Sequence, residues 1–357
     1  MMFLSSSFCF YLGQRQGRKW NLAVFLGILF PSMLAAYRDS AVGTDTEMYK
    51  YIYNNIINWR WGDFFGTDIA NVEAFYFLSS KIGSVLGGFS VVLFIYQFLN
   101  VLFLYLVCFR YRKYTAIWLC FLMYYCFFFP YSLNIMRQVT AVFYLLWICK
   151  YLFKEEYFKY CIGVLIGVAF HSSIVLGGTF IWIIYYSFKL PNRKKLWFIL
   201  GYVVLLIVLF IGFRNIGYLL EYLPIGRLSK YANHYIGAQS AYISNTDILY
   251  RVFFFLIIWF TLRFNNVSKK YRTTYIILAI TEIILICLGI YNESLYRLAL
   301  YITAFYLLII PVALKMTPFT SSSKLLVNTL WVMMCIVYWW YTMVYRNTNE
   351  TIPYQFS

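Results

Sequence analysis

The sequence predicts an all-α protein: a polytopic transmembrane helical bundle of about 12 spans with one additional re-entrant or interfacial helix. Three observations carry this. Of the 357 residues, 62% are hydrophobic and 12% are charged, roughly half the charge of an ordinary soluble domain. Apolar runs of about 17–25 residues, long enough to cross hydrocarbon, recur from end to end. The basic residues gather in the short segments between alternate runs, as an orientation signal does.

Taken in order, the apolar runs place spans near 1–13, 19–36, 90–109, 115–130, 136–153, 157–171, 172–187, 196–213, 248–264, 274–291, 297–314 and 325–344. One set of connecting segments contains Arg15, Arg18, Lys19, Arg110, Arg112, Lys113, Lys150, Lys154 and Lys159. It continues through Lys189–Lys195 and Arg263–Arg272 to Lys315 and Lys324. These segments hold 19 of the 30 basic residues and only two acids, Glu155 and Glu156. The excess of Lys and Arg makes them cytoplasmic. Both termini then face outward, which requires an even number of crossings. Segment 73–89, with Ser79, Ser80 and Lys81 at its centre, would reverse every later loop if it crossed. It is therefore read as the re-entrant or interfacial helix, on the outer side. The chain forms a single membrane domain, 1–357, with two long outer loops at 37–72 and 214–247. Its inner loops are short, so function is expected outside or in a cavity that opens outward.

The net charge of +17 does not indicate nucleic acid, because the basic residues mark loops and not a continuous stripe. Two histidines and eight cysteines without a CxxC disfavour a metal centre, and no cofactor is expected. Many of the 36 tyrosines and 35 phenylalanines stand near span ends, as an interfacial belt would.

Polar chemistry recurs at the outer ends of spans. In the first outer loop, Arg38 follows a span, Gly43 permits a tight turn, and Asp45 and Glu47 present two carboxylates. Such a pair can accept a proton from a hydroxyl or hold a cation. The plainer reading is a polar loop in which Thr44 or Asp45 caps the next helix. Asn134, Arg137 and Gln138 are spaced to share one helix face at the entrance of a span. An arginine retained there calls for an anion, either a protein carboxylate or a ligand phosphate; snorkelling to the interface is the alternative. His171, Ser172 and Ser173 end another span, either as helix caps or as functional groups. Near residue 293, Glu293 and Arg297 are placed to pair, and Arg297 and Tyr301 share a face. Glu282 lies within a span, where a structural role is the first expectation.

Four short motifs occur in order on one side. They are R-x-x-x-V-G-T-D-x-x-x-Y (Arg38 to Tyr49), N-x-x-R-Q (Asn134 to Gln138), H-S-S (His171 to Ser173) and Y-R-x-x-x-Y (Tyr296 to Tyr301). Together they resemble the EpsG-type branch of the Wzy polymerases, over about residues 19–315. The resemblance implies a glycosyltransferase of GT-C-like fold in the bacterial inner membrane, with its active site on the periplasmic side. Its partners would be membrane lipid and undecaprenyl-pyrophosphate-linked oligosaccharide, with chain length set by a separate regulator protein. The growing glycan would pass to a new lipid-linked unit, as in O-antigen or other surface-polysaccharide synthesis. Arg38, Asn134, Arg137, Gln138, Arg297 and Tyr301 would then bind substrate and pyrophosphate. Asp45 or His171 would take the acceptor proton, with a slight preference for Asp45. A flippase, an O-antigen ligase and a membrane acyltransferase are the competing readings.

Overall fold

The computed structural model describes residues 2–65, 72–191, 245–264, 269–289 and 293–356, and part of 193–211. The expected outer loop at 214–247 lies outside the described residues, as do 66–71 of the first loop. Among the described residues the elements are helices, and strand pairing is confined to one isolated bridge. Three helices, Phe89–Arg110, Leu295–Met316 and Ser321–Tyr345, are long and apolar enough to cross a membrane; several other apolar helices are shorter. The described chain clusters into two compact units, Met1–Gly178 with Ala304–Ser357, and Thr179–Thr303.

The first unit opens with the hairpin α1 (Met2–Arg15) and α2 (Leu22–Ala36). Asn21 starts α2 by accepting the Val24 amide at 2.9 Å, which satisfies a donor with no partner inside the helix. Within the expected outer loop a helix, α3 (Thr46–Ile57), starts directly after Asp45, as the plainer reading of that loop expected. It buries Thr46, Tyr49, Tyr53 and Ile56, a helical stripe that packs beside α4 (Ala74–Leu86) and α5 (Phe89–Arg110). Gly87 and Gly88, with φ of 143° and 87°, turn the chain between α4 and α5 in a backbone region that only glycine enters freely. At 13 residues, α4 is about 20 Å long. It folds back along the first part of α5, with Phe75 and Tyr76 beside Tyr96 and Gly83 against Val92.

The apolar run expected at 115–130 breaks. α6 (Ile117–Phe127) ends at Phe128, and Pro130 lies in the first turn of α7 (Phe129–Asn134), where a missing N–H does no harm. Ile135 then interrupts the helix before α8 (Met136–Phe153). This overturns the expectation that Asn134 shares a helical face with Arg137 and Gln138. α9 (Tyr157–Gly167) follows, and then α10 (Ile174–Lys189).

The two ends of this unit differ chemically. At one end, Gln14 donates to the carbonyls of Arg112 and Thr115 at 3.1 and 3.0 Å, and Lys315 reaches the same two carbonyls. Arg15, Arg112 and Lys315 therefore share a basic end. At the other end the C-terminal segment folds over the loop after α2. Phe356 bridges to Arg38. The Asp39 amide donates to Gln355 at 2.9 Å, and the Gly43 amide donates to Glu350 at 3.0 Å.

In the second unit, α11 (Asn245–Phe264), α12 (Lys269–Gly289) and the start of α13 (Glu293–Met316) bury an ionic triad. Arg251 pairs with Glu282, and Thr303 donates to the same carboxylate at 2.5 Å. Glu282 thus has a partner that the sequence reading did not name. The chain re-enters the first unit at Ala304, within α13, and α14 (Ser321–Trp339) follows there.

Candidate active site

The site forms where four helix ends meet. Arg137, in the first turn of α8, forms an ion pair with Glu73, which directly precedes α4. Both side chains are mostly buried, each 15% exposed. The guanidinium lies 5.1 Å from the Tyr49 ring centre and 5.6 Å from that of Tyr76, within reach of their π faces. Tyr76 is locked in place by donating to the Tyr49 carbonyl at 2.6 Å. The Arg137 Nε has no hydrogen-bond partner. A guanidinium carries five donors in a fixed fork, so Arg137 retains capacity for a second anion.

His171 follows α9 on the same side. Its Nε2 faces Glu73 Oε1 at 3.8 Å. Its Nδ1 accepts the Ser173 amide at 3.2 Å and lies 2.7 Å from the Ser173 hydroxyl. The Phe75 amide donates to the Ala169 carbonyl at 3.0 Å, which ties the start of α4 to the loop that carries His171. Burial raises the Glu73 carboxyl above its ordinary range, and the neighbouring Arg137 charge opposes that rise only in part. Counting from Phe89 to Tyr96, the cluster sits roughly 10 Å along α5 from its first residue.

The other expected site residues are placed differently. Arg38 is buried, donating to the Leu133 carbonyl at 2.7 Å and to Thr46 at 3.4 Å. Leu133 lies in the last turn of α7, so Arg38 takes up a carbonyl that the break at Ile135 leaves unpaired. Burial lowers its guanidinium to about 10, still cationic at neutral pH. Asn134 donates to the Asn349 carbonyl and side chain at 3.1 and 3.0 Å. Both residues therefore build the floor on which the C-terminal segment rests. Gln138 is buried in α8. Asp45 occupies the N-cap position of α3, but its carboxylate accepts from Thr44 at 3.2 Å and not from the helix backbone. Glu47 is exposed. Arg297 pairs with Glu293 one turn away, at 2.6 Å and half in solvent, while Tyr301 is buried; both belong to the second unit.

Gly43 is fixed by this arrangement. Its φ is 95°, and an added Cβ would come within 2.4 Å of Asn134 Oδ1. Gly43→Ala is expected to cost about 1–3 kcal/mol through strained backbone and to lower the melting temperature of detergent-purified protein. An unchanged melting temperature would show that the loop relaxes around the methyl group.

Glu73 was missed at the level of sequence. It was read only as the start of an interfacial helix, and nothing local connects it to an arginine 64 residues later. Tyr49 closed the first motif but had no assigned role. Tyr76 and Tyr96 had none either.

No curated protein and no solved structure matches the chain. The EpsG family model matches residues 21–356, almost the whole chain, and takes in every residue of the cluster. The chain belongs to the EpsG family, a family of Wzy-type polymerases.

Proposed function

We propose that this protein polymerises undecaprenyl-pyrophosphate-linked oligosaccharide repeat units at the periplasmic face of the bacterial plasma membrane. The growing glycan passes from its lipid carrier to a hydroxyl on a new lipid-linked unit, and undecaprenyl pyrophosphate leaves. The observation that carries this reading is Arg137. It is a mostly buried cation in the first turn of an apolar helix, backed by two tyrosine faces, with fork donors left for a second anion. The bond that breaks joins a sugar carbon to pyrophosphate, and negative charge grows on the leaving phosphate. A preorganised cation aimed at that charge is what such a step requires. In this reading the basic end of the first unit faces the cytoplasm. The helix α4 is re-entrant and recesses the cluster below the outer surface, within reach of lipid-linked sugars. The architecture is then GT-C-like.

Deleting the gene in its native strain and separating the surface glycolipid on a gel tests the reading. The expected result is a polymer ladder that collapses to lipid core bearing a single repeat unit, restored by the wild-type gene. Loss of every repeat unit from the core would indicate a flippase or a ligase instead.

A further inference from the structure

We propose that Glu73 is a further catalytic residue, one that masks Arg137 in the resting site and, once displaced by the donor's pyrophosphate, takes the proton from the acceptor hydroxyl. The proposal rests on the polymerase reading and assigns the proton transfer within it.

Three features of the structure lead here. First, Glu73 does not use its carboxylate to cap its own helix. It holds the N-cap place of α4, yet its side chain makes no capping bond. Its two oxygens are spent elsewhere, Oε2 on Arg137 and Oε1 toward His171.

Second, the geometry of His171 fixes its proton. The Ser173 amide donates to Nδ1, so that nitrogen is an acceptor, and the proton of the neutral ring sits on Nε2. Nε2 faces Glu73. The imidazole therefore has no free lone pair for a substrate proton. At 3.8 Å the contact is longer than a hydrogen bond, but it places the Nε2 proton beside the carboxylate, ready to donate once Arg137 is drawn away, which makes His171 a positioning residue. Asp45, the other candidate base, accepts one hydrogen bond from Thr44 at 3.2 Å and is not part of the Arg137–Glu73–His171 cluster.

Third, the Arg137–Glu73 pair is exchangeable. Pyrophosphate carries more charge than a carboxylate and accepts the guanidinium fork at several oxygens. As it takes Arg137, Glu73 loses the partner that held it ionised and keeps His171. Its basicity then rises at the moment when the donor is bound.

The step balances. The acceptor hydroxyl oxygen bonds to the anomeric carbon. The bond from that carbon to pyrophosphate breaks, and its electron pair stays on the phosphate oxygen beside Arg137. The hydroxyl proton goes to Glu73 and then to water when the products leave. Without a donor, Glu73 remains tied to Arg137, and the acceptor glycan is not deprotonated idly.

The test uses full-length protein in detergent, with inorganic pyrophosphate as the binding probe and lipid-linked repeat units for turnover. Glu73→Gln is expected to bind pyrophosphate about tenfold more tightly than wild type, because Arg137 is unmasked. Its turnover is expected to fall about 100-fold or more, the usual scale of general-base loss, with no rise in the donor KM. Wild-type turnover should decline on acidification through a group above the ordinary carboxylate range, and the residual Glu73→Gln turnover should lose that decline. The ionisable groups around Glu73 are Arg137, His171, Tyr49, Tyr76 and Tyr96. Glu73→Asp, which keeps the charge but shortens the reach, should retain part of the turnover and also bind pyrophosphate more tightly; it decides the matter if the glutamine variant does not fold. Unchanged pyrophosphate affinity, or turnover within threefold of wild type, would overturn the role of Glu73 and leave the polymerase reading standing. Wild-type protein that converts no repeat units to polymer would overturn the reading itself.

Discussion

Arg137→Ala is expected to lower polymer formation by roughly 10³-fold, the scale at which donors aimed at developing charge act, or about 4 kcal/mol of transition-state stabilisation. Surface glycolipid from a strain carrying only this variant should run as core plus one repeat unit. Arg137→Lys should rescue little, since a point charge cannot reproduce the fork. The substitution also strands Glu73 in a mostly buried position, so stability has to be separated from catalysis. The double variant Arg137→Ala, Glu73→Gln removes that stranded charge. It should recover the wild-type melting temperature and remain inactive. Wild-type polymer length in the single variant would refute the assignment.

The second large effect is structural. Glu282→Ala should destabilise the second unit by about 3–5 kcal/mol, the range for breaking a buried pair from one side. That is a large fraction of the 5–15 kcal/mol by which ordinary domains are stable, so the protein should fail to accumulate in the membrane. Arg251→Ala should do less damage. An orphaned carboxyl group sheds its charge by taking up a proton, whereas a guanidinium does not. The replacement Arg251→Met with Glu282→Leu should restore accumulation, because removing both charges removes the desolvation problem. Equal protein levels in wild type and Glu282→Ala, measured by blotting a tag, would show that the triad is dispensable.

Hydropathy is additive along a chain, so the helical class was legible without any knowledge of packing. The interruptions were not. The break at Phe128 lies inside an unbroken apolar run, and only Pro130 signals it. The break at Ile135 has no local signal, and the group that takes up the Leu133 carbonyl it frees, Arg38, comes from 95 residues earlier. Arg137 was legible because a cation at a span entrance is costly enough to demand an explanation. Its carboxylate was not, since an acid beside the start of a helix already has an ordinary explanation in the helix dipole. The tyrosines misled in a similar way. An interfacial belt and a polar-tipped core have the same composition. Tyr76, Tyr96, Tyr124 and Tyr125 are buried, and Gln97 bonds the Tyr124 hydroxyl at 2.8 Å while Ser6 lies 2.5 Å from that of Tyr125. The Arg297–Glu293 pair was read correctly because its partner is one turn away.

The C-terminal segment has a consequence for how the protein is made. Arg38, Gly43 and Asn134 are held by residues 349–356, which leave the ribosome about 300 residues after the loop they close over. At 5–20 residues per second, that loop waits roughly 15–60 s in the bilayer without its cover. A nascent chain stalled before residue 349 would contain Arg137, Glu73 and His171 and still lack the closure that seats the first outer loop. Seating of the loop around Arg38 and Gly43 is thereby tied to the synthesis of residues more than 300 positions later, and on the proposed function a product truncated before residue 349 would be inactive.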